Sequence, residues 1–262
     1  MKHRIFSIDL FADFGFLKKP DINEGIYLSF NMLHKPALLG ILGAIIGLEG
    51  YQEKNKIPKY YEKLNDIKIG IAPLNCNKGN YLKTVIQYVN GVGYASHEKG
   101  GTLIVKEQTL IKPAFRCFIL YHSKHSYIEC LVEYLKNNFA EFLPYLGKNE
   151  YSLWWNNLQE YRSELFNFDH DYKVGTIFMK SDQIVKEMVK SRIVEFYESY
   201  SGNNEFISFE ELPVGIDPSL IKYNIIQYER KQFVYTNFTL SKELRLTDLY
   251  KLEGQDEVIQ LF

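Results

Sequence analysis

The chain has 262 residues, 46% of them hydrophobic and 24% charged, with a formal net charge of -1. That balance predicts a globular protein of one large or two small domains and excludes a disordered or collagen-like chain. The longest apolar run, residues 38–48, is too short to span a bilayer. The N-terminal segment carries charges inside its apolar stretch, and the three cysteines show no CxxC spacing. The expectation is therefore a cytoplasmic protein, with no membrane partner, disulfide framework or metal site.

The small net charge conceals two unlike halves. Residues 1–125 carry 17 Lys+Arg against 10 Asp+Glu, and residues 126–262 carry 14 against 22. The densest basic stretch is 67–124, with Lys68, Lys78, Lys83, Lys99, Lys106, Lys112, Arg116 and Lys124 against Glu98 and Glu107. A polyanion partner explains such a half, and so does an unevenly charged solvated surface.

Residues 3–12, HRIFSIDLFA, alternate and favour β structure, which predicts a strand. A loop punctuated by Gly15, Pro20 and Gly25 leads to an extended piece at 27–30. No charge falls between Pro36 and Glu49, which predicts a buried helix over 36–48 with proline in its first turn. Gly40, Gly43, Ala44 and Gly47 share one face of it, so something must pack closely there. Residues 66–72 read as a strand, and 75–101 as a glycine-, tyrosine- and lysine-rich β-hairpin excursion with a returning arm from Thr102. Ala114–Tyr121 is a strand with Phe115, Cys117, Ile119 and Tyr121 on one face. Ser126 opens a helix with Ile128, Leu131, Val132, Leu135 and Phe139 in one stripe, and 151–155 is extended.

The order strand, helix, strand, excursion, strand, helix, strand predicts an α+β fold. Its βαββαβ arrangement is ferredoxin-like (RRM-like), over residues 1–155, with a protruding thumb at about 75–112. Residues 156–262 predict a smaller, mostly antiparallel β subdomain. It would hold a helix over 182–197, a hairpin from 221–228 and 233–240, and another around Gly254.

No phosphate-loop, dinucleotide, zinc-protease, calcium-loop or nucleophile-elbow motif occurs, so no cofactor is expected. Tyr121, His122, Lys124 and His125 form a concentrated polar set at the end of a strand. His can take a 2′-hydroxyl proton and Lys can face phosphate charge, the roles metal-free RNA cleavage needs. An ordinary surface turn is the plain alternative. Lysines interleaved with tyrosines suit a backbone-tracking arm whose rings stack on bases, so Lys78, Tyr81, Lys83, His97, Lys99 and Lys106, with Arg116 of the same basic stretch, are candidate RNA-binding residues. AFRCFILY lacks the aromatic signature of sheet-face RNA readers, which favours binding by loops and hairpin instead.

The segment 14–50, FGFLKKPDINEGIYLSFNMLHKPALLGILGAIIGLEG, resembles the N-terminal signature of the Cas-five family of CRISPR-associated proteins, in the RAMP superfamily. Residues 142–150, FLPYLGKNE, and 211–218, ELPVGIDP, are similar to later family segments, with Lys148 where the family commonly has arginine. The resemblance implies a ferredoxin-like domain with a thumb, in a type I Cascade surveillance complex for antiviral defence, most like type I-B. Implied partners are the guide crRNA through its 5′ handle, the backbone (Cas-seven family) subunit, the large subunit and, through the assembled complex, target DNA. The implied role is non-catalytic. The alternative is the metal-independent endoribonuclease of another branch, processing CRISPR precursor RNA. Beside this, the helix start at Pro36 has free amides, with Lys18, Lys19, His34 and Lys35 nearby, and predicts a phosphate site.

Overall fold

The computed structural model describes residues 3–21, 25–53, 56–90, 103–121, 125–180, 205–216 and 227–262. Its first half runs β1 (His3–Ala12), β2 (Phe14–Gly15), β3 (Ile26–Tyr27), α1 (Lys35–Ile45), α2 (Lys59–Leu64), β4 (Ile69–Leu74), β5 (Lys83–Asn90), β6 (Leu103–Ile111), β7 (Ala114–Tyr121) and α3 (Ser126–Lys136). The second half runs β8 (Leu153–Leu165), β9 (Phe178–Met179), β10 (Ile207–Ile216), β11 (Tyr228–Thr236), β12 (Leu249–Leu252) and β13 (Val258–Gln260). The architecture is mixed α+β and rich in sheet. β8 continues across the domain boundary expected near residue 155.

β1 is the central strand. Its alternation sends Phe6, Ile8, Leu10 and Ala12 to the face covered by α1 and α3, and Ile5, Asp9 and Phe11 to the other. It pairs antiparallel with β7 on one side and β8 on the other, and β4 pairs antiparallel with the far edge of β7. The full sheet has the order β13-β12-β8-β1-β7-β4 and curls until its ends meet. Ile69 and Phe262 exchange backbone hydrogen bonds of 3.1 and 2.8 Å. Gly70 permits that approach, since a Cβ there would lie 2.7 Å from the Gln260 carbonyl oxygen. The closure seals Ile5, Phe118 and Leu120 beneath Tyr250, Leu252, Ile259 and Leu261. The Phe11 end of the same face stays open.

α1 begins one residue before Pro36 and ends earlier than 48, because Gly47 adopts φ +76°. Leu48 N–H donates to the Gly43 carbonyl and Gly47 N–H to that of Ala44, which satisfies the last turn. Its small-residue face receives Tyr60 of α2 rather than the sheet: a Cβ on Gly43 would lie 2.4 Å from Tyr60 Cβ. α3 stops at Lys136, with Asn138 at φ +49°, so Phe139 falls outside the helix stripe and is exposed.

β5 and β6 form the antiparallel hairpin, and β6 also pairs with β2 and β3 on its other edge. A further sheet has the order β10-β11-β9. Here the sequence reading needs correcting: β11 pairs with residues 207–216, not 221–228. Pro213 disguised that strand. It lacks an N–H, and the register shifts beside it between Pro213 and Gly215. Residues 221–226, and the helix expected over 182–197, lie outside the described residues. The hairpin around Gly254 is present as β12 and β13, which extend the central sheet. No helix among the described residues is long and apolar enough to cross a membrane.

Candidate nucleic-acid interface

Directly opposed residues share a face, so the β5–β6 register divides the hairpin in two. One face carries Lys83, Val85, Gln87 and Val89 opposite Leu110, Gln108, Lys106 and Ile104. It is open beyond its base: Val85, Val89 and Ile104 are 52%, 61% and 53% exposed, whereas Leu110 at the base is buried. The other face carries Tyr88, Glu107 and Thr109, the last two buried. Lys148 locks this inner face. Its Nζ donates to Glu107 Oε2 at 2.7 Å and lies 3.9 Å from the Tyr88 ring centre, while the Tyr88 and Tyr151 hydroxyls sit 2.8 Å apart. Against the lowering pull of burial, the hydrogen bond and charge of Glu107 hold the Lys148 ammonium above the ordinary lysine value. Lys148 therefore clips the hairpin to the Pro144–Glu150 turn and is not a free cation.

Charge pairing separates the basic residues of the first half. Arg4, Lys19, Lys56, Lys59, Lys63, Lys68 and Arg116 each reach a carboxylate. Lys18, Lys35, Lys78, Lys83, Lys106 and Lys112 reach none among the described residues. Four of these six stand on the hairpin or in the turns at its base. Lys18 lies over the Tyr27 ring at 3.9 Å, beside β6. Partial burial draws the Lys83 ammonium below the ordinary lysine range, Glu210 opposes this, and the charge of Lys19 adds to it. Glu210 bridges the two segments: it pairs with Lys19 at 3.4 Å and accepts from the amides of Asn31 and Met32 at 2.9 and 3.0 Å.

At the helix tip the expected phosphate residues have partners within the protein. His34 is only 7% exposed, packs edge-on against Phe30, and its Nδ1 accepts from Ala37 N–H at 3.3 Å. Burial pushes its pKa down to about 3, so it caps the helix as a neutral ring. Lys35, drawn down to about 8 by burial, donates to the Phe262 carbonyl oxygen at 3.1 Å. The Ala37 amide and the Lys35 ammonium are thus both met from within the protein. Tyr81 is also a core residue: its hydroxyl donates to the Ala114 carbonyl and its ring meets Phe115 edge-on, so it offers no face to a base. Arg116 is held by Asp9 in a bidentate pair of 2.7 and 2.8 Å.

Of the polar set at the end of β7, His122 and Lys124 lie outside the described residues, as do His97 and Lys99 of the hairpin. Tyr121 stands beneath Arg4 and donates to Glu129, whereas His125 Nε2 lies 3.3 Å from Asp66 Oδ1. The two side chains thus engage different carboxylates. Among the described residues no group of three His, Cys, Asp or Glu is placed to hold a metal.

Sequence reasoning missed an open cleft of about 810 Å³ at the hairpin base, lined by the ends of β1 and β6, the 75–82 loop and Trp154. Trp154 stacks on Phe11 with ring centres 6.4 Å apart and an interplanar angle of 17°. Next to it on the open sheet face, Asn157 donates to Asp9 Oδ2 at 2.8 Å from a bulge where its own φ is +54°. The signal available in the sequence was three asparagines within six residues, Asn75, Asn77 and Asn80.

No protein-family profile matches the chain, and no curated protein matches it. Solved structures with a similar overall shape include a chain of a CRISPR RNA-guided surveillance complex, at 10% identity over 90% of each chain with a TM-score of 0.48. Another is a CRISPR protein from Archaeoglobus fulgidus, at 14% identity over 97% of this chain and 98% of that one, TM-score 0.48. A third is a chain of the type III-B Cmr-beta complex bound to cognate target RNA and AMPPnP, at 7% identity over 98% and 99%, TM-score 0.47.

Proposed function

We propose that this protein is a non-catalytic, RNA-binding subunit of a type I CRISPR surveillance complex, of Cas-five type, that holds the 5′ handle of the guide RNA along the outer face of its β5–β6 hairpin. One observation carries the reading: among the described residues of the first half, four of the six lysines left without a carboxylate stand on that hairpin and at its base. Elsewhere among those residues only Lys18 and Lys35 reach none. Unneutralised lysines on an exposed arm are what a phosphate backbone needs, since each contact releases counterions from the nucleic acid.

Supporting features are the sequence resemblance of the 14–50 segment and the strand order β8-β1-β7-β4, with helices after the first and third strands in the chain, which is the order of a ferredoxin-like domain. The hairpin then corresponds to the thumb. The backbone and large subunits are the expected protein partners.

The test is binding of repeat-derived RNA carrying a 5′ handle, measured against salt concentration, for the native chain and the Lys83→Ala/Lys106→Ala variant. Both side chains are exposed, so the fold survives. The log–log salt slope is expected to fall by about 0.7 per lysine removed. Equal slopes for the two proteins, or no preference of the native chain for handle RNA over an unrelated strand, defeats the reading. A specific cut of the same RNA in EDTA would defeat its non-catalytic part.

A further inference from the structure

We propose that the cleft at the hairpin base is a nucleobase-binding site that takes one unpaired base of a single-stranded RNA, stacked on Trp154 with its polar edge read by the side-chain amides of Asn75 and Asn77. The proposal rests on the RNA-binding reading above and adds to it a site on the open end of the sheet face.

Trp154 is the first reason. A tryptophan this exposed, at 46%, is unusual unless its ring has a partner outside the fold. Phe11 holds the indole by stacking on it, which fixes the ring plane before any ligand arrives. An oriented, half-exposed indole beside a cleft of about 810 Å³ is a stacking platform of the kind single strands use.

The loop opposite supplies polarity. Asn75 and Asn77 are exposed, and their side-chain amides make no hydrogen bond to any described residue. The loop itself is well fixed. Asn77 and Asn80 exchange backbone hydrogen bonds of 3.0 and 2.9 Å, and Asn31 grips the segment by donating to the Gly79 carbonyl at 2.6 Å and accepting from Tyr81 N–H at 3.3 Å. Asn75 takes φ +52°, a conformation asparagine tolerates better than most residues. Two free amides on a fixed loop present both donors and acceptors, as a base edge does.

The site also carries charge. Lys112, at φ +48° in the turn after β6, supplies a cation to the lining, and its own N–H is tied to the Asp13 carbonyl at 2.8 Å, which sets the one carboxylate of the lining beside it. The lysine can face the phosphate that follows the base, and the neighbouring carboxylate can accept from a base amino group. Lys83 follows Leu82 of the cleft wall directly in the chain, so a strand tracking the hairpin lysines reaches the cleft without a gap. An apolar peptide would leave the amides unpaired, which disfavours it as occupant.

The test uses the full chain and 5′-labelled single-stranded RNA, with an abasic residue placed at each position in turn, followed by fluorescence anisotropy. One position is expected at which removing the base weakens binding about tenfold. Trp154→Ala should show the same loss with intact RNA and no further loss with the abasic strand. Asn75→Gly/Asn77→Ala keeps the positive φ available and should flatten base preference at that position, which covers the case in which Trp154→Ala fails to fold. If both variants bind every strand like the native chain, the base site is refuted while RNA binding stands. If the folded native chain binds none of the strands, the RNA reading itself fails and this site with it.

Discussion

Replacing His34 by asparagine isolates one titration in the fold. His34 is buried against Phe30 and Tyr228 and stays neutral, with its pKa pushed down to about 3 by burial. In the unfolded chain the ring takes a proton near pH 6.5. The folded value lies below the unfolded one, so between the two the unfolded state binds the extra proton. Stability from the neutral ring is complete above pH 6.5 and is lost as the pH falls toward 3. At about 1.36 kcal/mol per pH unit, the loss from pH 7.5 to 4.5 is roughly 2–3 kcal/mol. Asparagine keeps an acceptor at the cap position, so α1 retains its start. The ring packing lost in His34→Asn costs the same at every pH. Urea unfolding of both proteins at several pH values therefore gives a stability gap that narrows, or reverses, by roughly 2–3 kcal/mol on acidification. A gap constant with pH would show that His34 is not held neutral, and the argument against a phosphate at the helix tip would fall.

Two neighbouring glycines of α1 should respond in opposite directions. Gly40→Ala meets only the Tyr60 ring at 3.6 Å and should stabilise by up to about 1 kcal/mol through helix propensity. Gly43→Ala drives its Cβ to 2.4 Å from Tyr60 Cβ and should lower stability by about 1–3 kcal/mol. Thermal melts decide both, and equal shifts would contradict the α1–α2 packing. Lys148→Ala leaves the buried Glu107 carboxylate without its partner and should cost about 2–3 kcal/mol. Hydrogen exchange should quicken in β6, and Glu107→Gln added to Lys148→Met should restore most of the loss. An unchanged exchange rate would mean that Lys148 does not fasten the hairpin.

The elements with uninterrupted local patterns were legible from the residues alone. Residues 3–12 and 114–121 are strands over the expected spans, because both are runs of β-branched and aromatic residues that the sheet buries on both faces. The uncharged run after Pro36 and the stripe from Ser126 are helices, and the lysine-rich excursion is built on a hairpin. Where a strand contains a proline and a bulge, as at 207–216, the local pattern failed, since the pairing that rescues it comes from β11, distant in the chain.

Sequence alone determined which residue types were available: a basic half, a glycine-faced helix and a thumb rich in lysine and tyrosine. Tertiary structure decided which of them remain free. It turned His34 and Tyr81 into core residues, tied Arg116 to Asp9 and Lys148 to Glu107, and left Lys83, Lys106 and Lys112 without a carboxylate among the described residues. It also brought Trp154, Asn75 and Asn77 to the walls of one cleft. The physical reason is that burial and charge pairing depend on neighbours far apart in the chain, which no local periodicity records.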